Sequence, residues 1–218
     1  GERTLNRVCS KGFVHSKQSI RVVEVLENDG KGLNLTKEVR DGILNHRTSG
    51  HPCTLEGCVV RLSDKIAYIN HDIDDAIRGK IICEKDIPKI YTDILGDSTK
   101  KRLDTLVHDI VKNSINKPEI VMSEEIEKAM LGLRQYMFEN VYTNSEAKKE
   151  EVKANEMLEL LFDYYLKHTD KLPHEFKYLI NQCGEDEEQV VCDYIAGMSD
   201  QYSVATFQKI FVPSSWNM

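Results

Sequence analysis

An all-α fold is predicted by three observations. Apolar residues recur at three- and four-residue spacing along most of the 218 residues. No Asn-Gly hairpin and no long alternating Val/Ile/Thr run occurs. Ser, Thr, Asp, Gly and Pro fall where helices would begin and end. Residues 18–28 carry Ile20, Val22, Val23, Val25 and Leu26 and stop at Asn28-Asp29-Gly30. Residues 36–46 follow, with Thr36 as N-cap and Val39, Ile43 and Leu44 on one face. After the His51-Pro52 loop a long helix is expected over about 55–78, ending at Gly79. Further helices are expected over 86–95, 99–115, 122–142, 145–168, 171–182, 187–199 and 203–210. Asp97-Ser98, Ser123 and Ser145 are the N-cap candidates, and Pro118 and Pro173 sit near helix starts, where proline is tolerated. Residues 145–153 read as a solvated, ion-paired helix face, and Trp216 as an anchor against the core or a partner chain.

Composition narrows the function classes. Hydrophobic residues at 40% and charged residues at 30% place the chain among globular proteins. With 29 Lys plus Arg against 36 Asp plus Glu, the formal charge is −7, which argues against non-specific nucleic-acid binding but leaves room for a local phosphate pocket. No apolar run approaches ~18 residues, and Gly1-Glu2-Arg3-Thr4 opens no signal-peptide core, so neither a membrane span nor a leader is expected. The six cysteines are scattered, with no C-x-x-C pair and no ligand set to complete a zinc site around Cys53 and Cys58. Reduced thiols, mostly packed as small apolar groups in a cytoplasmic protein, are the expectation.

The segment 55–77 is the most informative. On a helix, Val59, Leu62, Ile66, Ile69, Ile73 and Ile77 form an apolar back. Asp64, Tyr68, His71, Asp72 and Asp75 form an acidic, aromatic front. An ordinary solvated face mixes signs, because like charges four residues apart repel. Two readings stay open on pattern alone: a plain amphipathic helix, or a stripe that meets a divalent cation or a polyol.

The stretch from Arg61 to Ala76 resembles the signature of the bacterial dGTPase-like deoxynucleoside triphosphate triphosphohydrolases, of the HD-domain superfamily. Residues 12–19 (GFVHSKQS), 32–46 (GLNLTKEVRDGILNH) and 193–202 (DYIAGMSDQY) are similar to three further blocks of that family, in the same order. The family holds its metal with a first His, an adjacent His-Asp pair and a later Asp; the segment that would carry the first three is not in this sequence. Gly1-Glu2 matches the residues just after it, so the chain resembles the C-terminal two-thirds of a member. The resemblance implies a single all-α domain over 1–218: the remainder of an HD-type helical core over about 1–115, and a C-terminal helical region over about 116–218.

Roles follow from the resemblance position by position. Asp64 matches the fourth metal ligand, and His15 an active-site histidine suited to protonate the leaving 5′-oxygen. Lys65 matches a phosphate clamp; Tyr68 and Asp72 match residues that line the deoxyribose and exclude a 2′-hydroxyl. Arg102 is a candidate phosphate or effector contact, with a surface arginine as the alternative, and Asp200 and Tyr202 belong to a motif without an assigned contact. The implied reaction is metal-dependent hydrolysis of a deoxynucleoside triphosphate, dGTP or another, to deoxynucleoside and triphosphate. Mg²⁺ or Mn²⁺ is the expected metal, with Zn²⁺, Fe²⁺ or Ni²⁺ as alternatives. It would be weakly held, so that this chain is inactive alone. A homo-oligomer with a nucleotide effector is implied as well. The alternatives are a non-enzymatic helical domain that binds a nucleotide or a partner, and another HD-type phosphohydrolase.

Overall fold

Side-chain oxygens that take up an orphan backbone N–H fix several helix starts. The structure is a computed structural model that describes residues 1–142 and 145–213, the side chains of 145–149 excepted. Thr36, Thr54, Ser98, Asp186 and Ser199 cap helices, the Thr54 hydroxyl accepting from the Gly57 N–H at 3.0 Å. Ser123 precedes a helix without capping it; its own N–H donates to Asp109 at 2.7 Å. Ser145 as a cap and Trp216 as an anchor lie outside the described residues. Among the described residues every regular element is helical and none is a strand.

Residues 36–148 form one compact unit. Its α-helices are Lys37–Leu44, Leu55–Arg78, Lys89–Leu95, Thr99–Ser114 and Glu124–Met137, the last running on into a π turn at Phe138–Tyr142. Ile66, Ile69, Ile73 and Ala76 of the long helix meet Leu95, Leu106, Ile126, Met130, Leu133 and Met137 in one core. Residues between Met122 and Tyr142, expected with the C-terminal region, thus share a core with the long helix. The apolar back of that helix is buried from Leu62 to Ile73, whereas Ile77 is half-buried and Val59 is exposed.

Residues 1–35 and those from 149 on form the other unit. Its helices are Glu2–Val8, His15–Arg21, Ser145–Lys167 (from 149), His174–Asn181, Glu187–Ala196 and Asp200–Phe211. The core holds Leu5, Leu161, Phe162, Leu179, Val190, Val191 and Ile195. Glu2–Val8 escapes sequence reading because seven residues give too little periodicity; Thr4 and Leu5 are its buried positions. The segment expected as a helix over 18–28 starts earlier, at His15, and loosens into a π turn at Val22–Leu26. It ends where Asn28, Asp29 and Gly30 all adopt positive φ, a left-handed run that Asn, Asp and Gly tolerate best. All six cysteines are free; Cys9 and Cys192 are buried, whereas Cys53, Cys83 and Cys183 are exposed and so are not the packed groups expected.

Candidate functional site

The long helix carries four of the expected site residues at successive turns: Asp64 with Lys65, then Tyr68, then Asp72. Asp64 is exposed, and Tyr68 is 51% exposed. Asp72 is half-buried, and its Oδ2 is buried with no hydrogen-bond partner. Burial raises the Asp72 carboxyl above the usual carboxylate range; the neighbouring Tyr68 hydroxyl works against that rise and Asp75 adds to it. Tyr68 is raised in turn, by burial and then by the Asp72 charge.

Lys65 stands in a group of cations. Its pKa is lowered, first by burial, then by Arg61 one turn back and by Arg134 from helix Glu124–Met137; Glu127 opposes them. Arg134 acts on Tyr68 too. Arg61 donates from Nη1 to the Gly50 carbonyl at 3.2 Å, and its buried Nε has no partner. Among the described residues neither Lys65 nor Arg134 is within ion-pair distance of a carboxylate. Two arginines and one opposing carboxylate thus act on Lys65, in a chain of net charge −7.

Arg102 is neither a surface residue nor open to a ligand. It is 1% exposed, donating from Nε to Asn70 Oδ1 at 3.1 Å and from Nη2 to Thr99 Oγ1 at 3.1 Å. The Thr99 hydroxyl in turn donates to Asp74 Oδ1 at 2.6 Å. Burial lowers the Arg102 pKa, and Asp74 works against that. The network ties helix Thr99–Ser114 to the long helix.

His15 lies in the other unit, at the first position of helix His15–Arg21. Glu2 reaches it twice: Oε1 accepts the His15 backbone N–H at 3.1 Å, and Oε2 faces Nδ1 at 2.9 Å. An ionised carboxylate only accepts, so Nδ1 carries the proton shared with Glu2. Asp200 sits in the first turn of helix Asp200–Phe211, its carbonyl accepting from the Ser203 hydroxyl at 3.0 Å. The Tyr202 hydroxyl pairs with that of buried Tyr194 at 2.9 Å. Burial, then the Tyr202 contact, raises the Tyr194 pKa.

Glu2 and Arg134 are the residues that sequence reasoning missed as site candidates. Glu2 was visible as part of the Gly1-Glu2 match; Arg134 lies on another helix, and no local spacing links it to Lys65. Among the described residues no three His, Cys, Asp or Glu side chains converge to hold a metal ion. Asp64 offers one carboxylate, and the four-ligand set implied by the resemblance is not formed by these residues. A cavity of about 710 Å³ lined by Leu26, Asp29, His174, Phe176 and Tyr178 holds none of the expected site residues.

Comparison with known proteins agrees with the motifs. Residues 120–209 match the family described as phosphohydrolase-associated domain. A deoxyguanosinetriphosphate triphosphohydrolase-like protein of Geobacter metallireducens is 31% identical over 268 aligned positions, covering 98% of this chain and 69% of that protein. The chain belongs to the deoxyguanosinetriphosphate triphosphohydrolase-like family. Members from Caldanaerobacter subterraneus and Clostridium tetani are 56% and 46% identical over 99% and 98% of the chain. The chain spans 63% and 64% of the length of those two proteins. Among the described residues no helix is long and apolar enough to cross a membrane.

Proposed function

We propose that this chain supplies the phosphate-binding and sugar-binding side of a deoxynucleoside triphosphate triphosphohydrolase, which splits a dNTP into deoxynucleoside and triphosphate. The observation that carries the reading is the group of Arg61, Lys65 and Arg134, opposed by Glu127, on the helix that also carries Tyr68 and Asp72. The cations match the charge of a triphosphate, and in a partly desolvated setting each charge-assisted contact counts for more than in water. The orphaned Asp72 Oδ2 has a vacant acceptor position for a sugar hydroxyl, and the Tyr68 ring would cover the furanose carbon where a ribonucleotide carries its extra hydroxyl. His15, its Nδ1–H held by Glu2, would act as the doubly protonated imidazolium, giving its Nε2 proton to the leaving 5′-oxygen and remaining as the neutral Nδ1–H ring. Asp64 would be one ligand of a divalent metal; the remaining ligands are not among these residues, so metal dependence stays part of the proposal. Assembly into a homo-oligomer and a response to a nucleotide effector belong to the same proposal, to be checked by sedimentation with and without dNTPs.

The test is triphosphate release from dGTP with Mg²⁺ or Mn²⁺. It is measured on this chain and on a chimera joining it to the part of the Caldanaerobacter relative that it does not span. Release by the chimera, abolished by Asp64→Ala and by His15→Ala, is expected; full activity in Asp64→Ala would overturn the assignment. A second reading is nucleotide binding without turnover. That reading expects dGTP to raise the Tm while neither protein releases triphosphate.

A further inference from the structure

A proton donor must hold its ring still, yet the side chains of His15 and Glu2 are 43% and 41% exposed. Packing alone does not fix a pair so open to water, and a seven-residue helix is too short to be stable by itself. The helix that His15 begins is held at its next two turns. Gln18 Nε2 donates to Asp193 Oδ1 at 2.9 Å, and Arg21 Nε donates to Oδ2 at 2.7 Å and Oδ1 at 2.9 Å. Gln189 Nε2 adds a contact at 3.1 Å, and Glu185 accepts from Arg21 Nη2 at 2.8 Å. The Asp193 side chain has 0% exposure. A buried carboxylate is tolerable only when its oxygens are this fully paired, so the donors cannot drift without leaving it stranded.

We propose that Asp193 is a positioning residue for His15. Through Gln18 and Arg21 it fixes the helix that His15 begins, and so keeps Nδ1 on Glu2 and the direction of Nε2 constant. The relevance to catalysis rests on the reading of His15 as proton donor. The 193–202 motif thereby gains a task that its own sequence does not reveal. A clamp that served folding alone would change stability and leave the imidazole of the folded protein as it was.

The deciding experiment is NMR of the full chain labelled with ¹⁵N-histidine, at about pH 9, where imidazole is neutral. Wild type, Gln18→Ala and Asp193→Asn are compared, each shown folded by circular dichroism. The wild-type His15 ring is expected as a single Nδ1–H tautomer. In Gln18→Ala both ring shifts move toward the averaged values of a free imidazole, and in Asp193→Asn they move further. An unchanged tautomer in folded Gln18→Ala overturns the proposal, and this variant decides alone if Asp193→Asn fails to fold. In a chimera that hydrolyses dGTP, Gln18→Ala should lower kcat about tenfold with KM held within about twofold. Absence of turnover in the wild-type chimera would count against the proposed function and leave the tautomer measurement to judge the clamp.

Discussion

Two charge clusters, one in each unit, are built in opposite ways. In residues 1–35 and 149 onward, Arg21 is met by Asp193 and Glu185, and Asp193 is met in turn by Gln18 and Gln189. In residues 36–148, Arg61 and Arg134 act on Lys65 with Glu127 as the opposing carboxylate, and the pKa of Lys65 is lowered, first by burial and then by the two arginines. A closed network stabilises the fold and holds a geometry, whereas an open one of like sign weakens the fold locally and waits for a counter-charge. The contrast separates a network answered within the fold from a group of mostly like charges, without recourse to any motif.

The contrast breaks most visibly at Asp193. Asp193→Ala strands a partly buried guanidinium and should destabilise the chain by about 3–5 kcal/mol, read from urea unfolding. A loss below about 1 kcal/mol would mean that water replaces the carboxylate easily, and the closed network would lose its meaning. Lys65→Met and Arg134→Met should behave the other way. Each leaves the Tm unchanged or higher, because a like-charge repulsion is removed. Each weakens dGTP binding at low salt by tenfold or more, since a hydrogen bond to a charged group is worth ~1.5–3 kcal/mol. Calorimetric titration checks the affinity, and the wild-type value should fall as salt rises.

Smaller effects sharpen the same picture. Thr54→Ala removes the cap of the long helix and should cost about 1 kcal/mol without changing nucleotide affinity, since Thr54 lies at the far end from Asp72. The smallest effect is a pH dependence. The folded-state pKa of Asp72 is raised, chiefly by burial. Its protonated form therefore favours folding below the unfolded-state pKa, and that contribution is lost as pH rises through the raised value. Asp72→Asn should accordingly gain Tm relative to wild type at pH 7, and the gain should vanish near pH 3, below both pKa values (~3.9 when unfolded). A constant difference between those pH values would show that Asp72 ionises as freely in the fold as out of it.

Much of this was open to reading along the chain. The long helix from 55 to 78 was legible because Leu62, Ile66, Ile69 and Ile73 repeat at helical spacing and Thr54 and Gly79 bracket them. The clustering of Asp64, Lys65, Tyr68 and Asp72 was legible for the same reason: on one helix, sequence spacing is spatial spacing. Arg102 was misjudged as open to a ligand or to solvent, because one arginine in a helix opening with Lys100 and Lys101 looks like any other charged surface position. Its burial depends on Asn70, which lies 32 residues earlier.

The residue pattern by itself determined the helical class, the register of the long helix and its acidic front, since these follow from local periodicity and hydrogen-bonding rules. Only the tertiary structure decided which charges are answered and which are left open. Arg134 joins Lys65, Asp193 receives Gln18 and Arg21, and Glu2 turns toward His15 because separate segments meet in the fold, and a charge is costly or useful according to neighbours that lie far away along the chain.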